Sequence, residues 1–374
     1  MISYICYTAY FLVLCTIIQN SVQKDNNIFK RLFIVLTFGV MMLMMALRRF
    51  DVGNDTSHYL NFYRQIGLGF LDYDSRLEAG FRGLTILISR LSDGNEQVFI
   101  ATCVILSFVP ILILLIKCSK NLFYSIALFW TLSCINIASA SRQGIAIGII
   151  CIGYLVLRSN IKASSLLYCL ICIIASFFHR SAIFLIFVPL LRKRIITIRT
   201  LLLLITITTL LTATSFADLI FSRFAENYYN LYFGVKSGWA AAVFNMMLGV
   251  IAIIIDYYSI TRNDRKKFFL KLEEDLKETN LLSRNEYLDN NFFRWMALLF
   301  SACCILSVNN SVIGRMANYF EPFLIIYLSN HIYNIKYRKL IAVGIIFSRV
   351  VFSVLALIIR PEWNSFFPFF FFWE

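Results

Sequence analysis

The chain reads as an all-α, polytopic integral membrane protein, and three observations carry that reading. Of its 374 residues 59% are hydrophobic and 15% charged, where a soluble domain carries about 25% charge. The apolar residues gather in runs of about 17 to 25, the length a helix needs to cross hydrocarbon. Basic residues alternate with those runs as cytoplasmic loops do.

Taken in order, the runs lie near residues 2–20, 31–47, 97–116, 122–139, 143–157, 163–178, 200–217, 239–260, 293–312, 316–334 and 340–359. The first lacks a basic leader and a small-residue cleavage site, so it is expected to stay as a helix. A shorter run, Ser181 to Leu191, raises the expectation to 11–12 transmembrane helices in a single domain spanning 1–374. It follows "FFHRS" and precedes "RKRIITIR", so one continuous helix would bury His179 and Arg180 in lipid. Two short or re-entrant pieces meeting at His179 avoid that cost.

Lys24, Lys30 and Arg31, then Lys117 and Lys120, Arg158 and Lys162, Arg192 to Arg199, the charged stretch 261–292, and Lys336 to Lys339 mark inner loops. Both termini then lie outside, together with loops 48–96 and 217–238. Twelve lysines fall inside and only Lys236 outside, whereas about ten arginines fall inside and eleven outside. A topology signal treats both residues alike, so the outer arginines need another reason. The planar guanidinium fork binds phosphate and pyrophosphate bidentately, which points to an anionic ligand at the outer boundary.

The outer polar residues share one depth. "RRFDVGNDTSHYLNFY" ends the second run and places Arg48, Arg49, Asp51, Asp55 and Tyr59 at a helix mouth. Arg142 stands in "SASRQG", His179 and Arg180 in the broken segment, and Arg315 in "GRMANYFEP" with Tyr319 and Glu321. Each has a plainer reading. Asp55 is also an N-cap position for an amphipathic helix carrying Tyr59, Phe62, Tyr63 and Ile66; Arg48 and Arg49 suit snorkelling anchors; His179 suits a core histidine.

Residues 76–94 repeat the amphipathic pattern, with Leu77, Phe81, Leu84, Ile88 and Leu91 on one stripe. Glu78 and Arg82 stand as an i,i+4 surface pair, with the alternative that Glu78 holds an arginine in place. Loop 217–238 is rich in tyrosine and phenylalanine beside Arg223 and Glu226, which suits sugar rings or an interfacial belt. The ten cysteines lie mostly in apolar runs, and the Cys169–Cys172 pair has no second pair or histidine cluster, so neither zinc nor a redox site is expected. No phosphate-binding glycine loop occurs, and the charged inner loop reads as a solvated helix. The net charge of +14 fits anionic lipid head groups and calls for no nucleic acid. The tail "RPEWNSFFPFFFFWE" reads as an aromatic anchor.

The opening motif resembles the Arg-x-x-x-Val/Thr-Gly-x-Asp-Thr-x-x-Tyr signature of EpsG-like polysaccharide polymerases, a branch of the Wzy O-antigen polymerases. "EAGFRGL", "ASRQGIAIGI", "FHRSAIF" and "GRMANYFEP" are similar to later landmarks of that family, in the same order. The resemblance covers nearly the whole chain. It implies a membrane glycosyltransferase-like architecture of the GT-C type, with outer interfacial helices. It also implies joining of repeat units on undecaprenyl pyrophosphate at the periplasmic face of a bacterial inner membrane, without metal or other cofactor, beside a chain-length regulator.

On that chemistry Arg49, Arg142 and Arg315, then Arg48 and Arg180, are expected to bind pyrophosphate. Asp55 and His179 compete as the base, and Asp51, Tyr59, Tyr319 and Glu321 are expected to meet the acceptor sugar. Two rivals remain: a flippase for the same lipid-linked oligosaccharide, which would need more ionisable residues within its helices than Arg349, and a glycosyltransferase using a polyprenyl-monophosphate donor.

Overall fold

A computed structural model describes residues 10, 27–69, 77–159, 161–194, 196, 198–214, 238–259, 281–309, 311–334, 337–359 and 369–374. The first apolar run, loop 217–238 and most of the charged inner loop lie outside the described residues. The chain divides into two compact units, residues 1–186 with 339–374 and residues 187–338.

The described residues are almost wholly helical. Among the described residues five helices are long and apolar enough to cross a membrane, at Ile28–Ala46, Glu96–Cys118, Ser141–Arg158, Trp239–Tyr258 and Arg338–Ala356; Leu122–Leu132, Ser164–Ser176 and Arg199–Thr214 are shorter apolar helices. The protein is a multi-pass membrane protein of the all-α class.

In the first unit, α1 (Asn27–Ile34) and α2 (Val40–Ala46) run together through a π-helical turn at Val35–Gly39. Two amphipathic helices follow, α3 (Thr56–Gly67) and α4 (Ala79–Leu91). Their apolar faces close on each other and on α5 (Glu96–Cys118) around Tyr59, Tyr63, Phe81, Ile88 and Phe99. Leu77 and Ile88 are buried as the stripe predicts, but Leu91 is 78% exposed, because the helix ends there. Asn95 caps α5 by accepting from the amides of Gln97 and Val98 at 2.9 and 3.2 Å.

The run predicted at 122–139 is two helices, α6 (Leu122–Leu132) and α7 (Cys134–Ser139), broken at Ser133. Helix α8 (Ser141–Arg158) presses its Gly-x-x-x-Gly face on its neighbours. A β-carbon on Gly144 would stand 2.7 Å from the Ile137 carbonyl, and one on Gly148 2.7 Å from that of Leu106. Small residues at that spacing let helices approach where lipid supplies no hydrophobic drive.

Helix α9 (Ser164–Ser176) stops short of His179, and a 3-10 helix takes over at Arg180–Phe187. The break stands where burial of His179 and Arg180 in a continuous helix would have been costly. Later in the chain, the helix Arg338–Ile359 places the buried Arg349 with Nη2 3.5 Å from the Thr131 carbonyl, near the end of α6.

The second unit holds α10 (Val188–Arg192), α11 (Ile198–Thr214), α12 (Trp239–Ser259), α13 (Leu281–Leu306), α14 (Ser311–Ala317) and α15 (Glu321–Tyr333). The end of α10 is satisfied by side chains of α13: Asn291 donates to the carbonyls of Arg192 and Arg194 at 3.0 and 2.8 Å, and Trp295 to Arg194 at 2.7 Å. Farther along α13, Arg294 donates to Asp256 Oδ2 at 2.8 and 2.6 Å. Tyr327 donates to the same oxygen, and His331 Nδ1 stands 3.2 Å from Oδ1. One buried carboxylate thus ties α12, α13 and α15 together.

Candidate functional site

The opening motif folds into a tight turn at the mouth of α2. Arg48 is fully buried there, donating to the carbonyls of Met45 and Ala138 at 2.6 and 2.7 Å, to that of Val52 at 3.3 Å and to the Thr56 hydroxyl at 3.4 Å. Burial pulls its pKa down to about 10, so it stays charged at neutral pH. Its donors are spent on holding the turn to the end of α7. Gly53 adopts φ +101, where a β-carbon would also meet the Thr56 hydroxyl at 2.8 Å.

Arg49 faces outward. Its guanidinium grips Asp51 with two hydrogen bonds of 2.7 and 2.6 Å and lies 4.0 Å from the centre of the Phe370 ring. Hydrogen bonding to Arg49 holds the Asp51 carboxyl below its ordinary range. The tail is fixed here by main-chain bonds from Arg49 to Phe370 (2.9 Å) and from Phe372 to Leu47 (3.0 Å). It does more than the anchoring expected of it: it pairs with the motif itself.

Asp55 occupies the N-cap position of α3, yet its side chain makes no cap hydrogen bond. One turn later Tyr59 is buried and accepts from Arg142 Nε at 3.2 Å, with the guanidinium 5.3 Å from its ring centre. Arg142, in the first turn of α8, also donates from Nη1 to Glu78 Oε2 at 2.7 Å. The other oxygen of Glu78 accepts from the Arg180 amide at 3.3 Å and stands 3.5 Å from His179 Nδ1.

Two segments, the first turn of α8 and the turn at 179–180, therefore meet one carboxylate that is 7% exposed, with Tyr59 of α3 joined to it through Arg142. Burial alone would raise the Glu78 pKa, but the approach of His179 and the charge of Arg142 outweigh it and hold the group at about 2. Beside the carboxylate opens a cleft of about 290 Å³, lined by Leu77, Glu78, Ala79, Arg82, Ser176, Phe177 and Arg180.

The structure thus brings Arg142, His179, Arg180 and Tyr59 together, and no hydrogen bond or ion pair joins Asp55 to Arg142 or His179. Arg315, half-buried on α14, and the buried Tyr319 and Glu321 belong to the second unit. The residue that sequence reasoning underrated is Glu78. Its carboxylate engages Arg142 and His179, not the Arg82 that an i,i+4 pairing predicts. Its place in "EAGFRGL", one of the landmarks of the resemblance, is the signal that was there to be weighed. Among the described residues no three side chains of His, Cys, Asp or Glu gather as metal ligands would.

A multi-pass helical membrane protein with guanidinium and carboxylate groups gathered at helix mouths is the class this fold and site define. The model of the EpsG family matches residues 31–371, and the chain belongs to that family of polysaccharide polymerase-like membrane proteins. No curated protein and no solved structure matches it.

Proposed function

We propose that the protein joins oligosaccharide repeat units, transferring the growing glycan from undecaprenyl pyrophosphate onto the next lipid-linked unit at the periplasmic face of a bacterial inner membrane. The observation that carries this reading is the meeting of Arg142 and His179 at Glu78 in a chain of the EpsG family.

The chemistry asks for two things. The acceptor hydroxyl oxygen attacks the anomeric carbon, forming the new glycosidic bond, while the bond from that carbon to the pyrophosphate oxygen breaks and the electron pair leaves with the pyrophosphate. Arg142 is the donor suited to that growing charge, because a guanidinium already oriented by Glu78 and Tyr59 needs no reorganisation. The hydroxyl proton must go to a base. His179 is assigned that role, and Asp55, with its carboxylate uninvolved in capping, orients the acceptor. A single displacement inverts the anomeric centre, and the reading gives no step to a metal.

Deletion of the gene, followed by an electrophoretic profile of surface lipopolysaccharide, tests this. The expected result is core bearing one repeat unit and no ladder, with the ladder restored by the wild-type gene but not by Arg142→Ala or His179→Ala. Core alone would move the defect upstream, to a flippase or to unit assembly, and overturn the reading.

A further inference from the structure

Glu78 stands at the N-cap position of α4, where an acid ordinarily accepts from the first helical amides, yet it makes no cap hydrogen bond. The Phe177 carbonyl does that work instead, accepting from the amides of Gly80 and Phe81 at 2.9 and 3.3 Å. The approach is so close that a β-carbon on Gly80 would fall 2.8 Å from the carbonyl oxygen. The turn that carries His179 is therefore locked by main chain to the start of α4, and the Glu78 carboxylate is released to face inward.

We infer that Glu78 is the positioning residue of the site, fixing His179 as the tautomer protonated on Nδ1 while its second oxygen holds Arg142. A carboxylate only accepts hydrogen bonds, so a neutral imidazole turned toward it places its proton on Nδ1 and leaves the lone pair on Nε2. At 3.5 Å the pair is longer than an ordinary hydrogen bond, and catalytic contacts commonly shorten when substrate binds. One buried acid then serves both partners: it orients the base on one oxygen and the pyrophosphate-binding guanidinium on the other. That division of labour rests on the proposed polymerase reading, whereas the tautomer does not.

The discriminating variant is Glu78→Gln. Arg142, a charged donor at 2.7 Å, outcompetes the Arg180 amide at 3.3 Å for the amide oxygen, so that oxygen turns toward Arg142 and the amide NH₂ toward His179. Nδ1 must then accept, and the proton moves to Nε2. With 15N-histidine-labelled full-length protein in nanodiscs, ring nitrogen shifts at alkaline pH report the tautomer directly. The chain has three histidines, and the signals lost in His179→Asn identify the one in question.

The expected results are a proton on Nδ1 in the wild type and in Glu78→Asp, and on Nε2 in Glu78→Gln. A wild-type proton on Nε2, or a tautomer indifferent to Glu78→Gln, overturns the inference, and the first of these needs no variant to fold. In a polymerisation assay Glu78→Gln is expected to lower kcat by on the order of 100-fold or more, with KM little changed and Glu78→Asp restoring part of the rate. A tautomer that switches while the polymer ladder stays intact would leave the positioning role standing and sink the assignment of His179 as base.

Discussion

Arg142 makes two different contacts with one guanidinium, Nη1 to a carboxylate and Nε to a phenol. A lysine ammonium is a point charge that cannot keep both at their angles. Arg142→Lys is therefore expected to behave nearly as Arg142→Ala in complementation, shortening or abolishing the ladder; a lysine variant of full activity would mean that charge alone suffices there. Glu78 contributes a second expectation through its titration. Its pKa in the folded state lies at about 2, below its ordinary 4.5, so its stabilisation is complete above 4.5 and is lost as the pH falls from there toward 2. The thermal midpoint of the wild type is expected to fall across that window, and Glu78→Gln, which has no carboxylate to protonate, to fall less. The partners of Glu78 could not be read from the chain, because they lie 64 and 102 positions away, and no local spacing rule spans such distances. The contacts of Arg48 were hidden for a related reason: three of its four hydrogen bonds go to main-chain carbonyls, which every residue carries.

Helices were legible where the pattern has a polar side. The stripes of α3 and α4 predict their buried faces because alternation at helical spacing marks a face only when water or head groups lie opposite. The break at Ser133 and the π-helical turn at Val35–Gly39 lie in segments apolar all round, where periodicity carries no information. Glycines hold information of another kind. Gly148→Ala is expected to cost about 1–3 kcal/mol, since its β-carbon would meet the Leu106 carbonyl at 2.7 Å and backbone cannot yield cheaply. Gly83→Ala in α4 meets nothing within 4 Å and is expected to add roughly 0.5–1 kcal/mol by stiffening the unfolded chain. Unfolding of the two variants in detergent should shift in opposite directions, and a common direction would refute the packing argument. In the second unit, Asp256→Asn is expected to destabilise by about 3–5 kcal/mol, because it leaves Arg294 buried without its counter-charge. Replacing Asp256 and Arg294 together by apolar residues of similar size should recover most of that loss.

For the molecule as a whole, the distribution of basic residues makes an argument about side. Lysine follows the loops that the charge alternation predicts to be inner and arginine does not, and Arg49, Arg142 and Arg180 lie in the segments that the same alternation predicts to be outer. A polymerase working on units already carried across the membrane needs its arginines on that face, so orientation and chemistry stand or fall together. Ser57 on α3 and Lys193 after α10 are both exposed and lie in segments expected on opposite sides. In a background with the native cysteines replaced, Ser57→Cys is expected to react with a membrane-impermeant maleimide in intact spheroplasts, and Lys193→Cys only after permeabilisation. The reverse pattern would place the Glu78 cluster in the cytoplasm, where a substrate delivered to the periplasm could not reach it, and the proposed reaction would fail even if every contact within the site were as described.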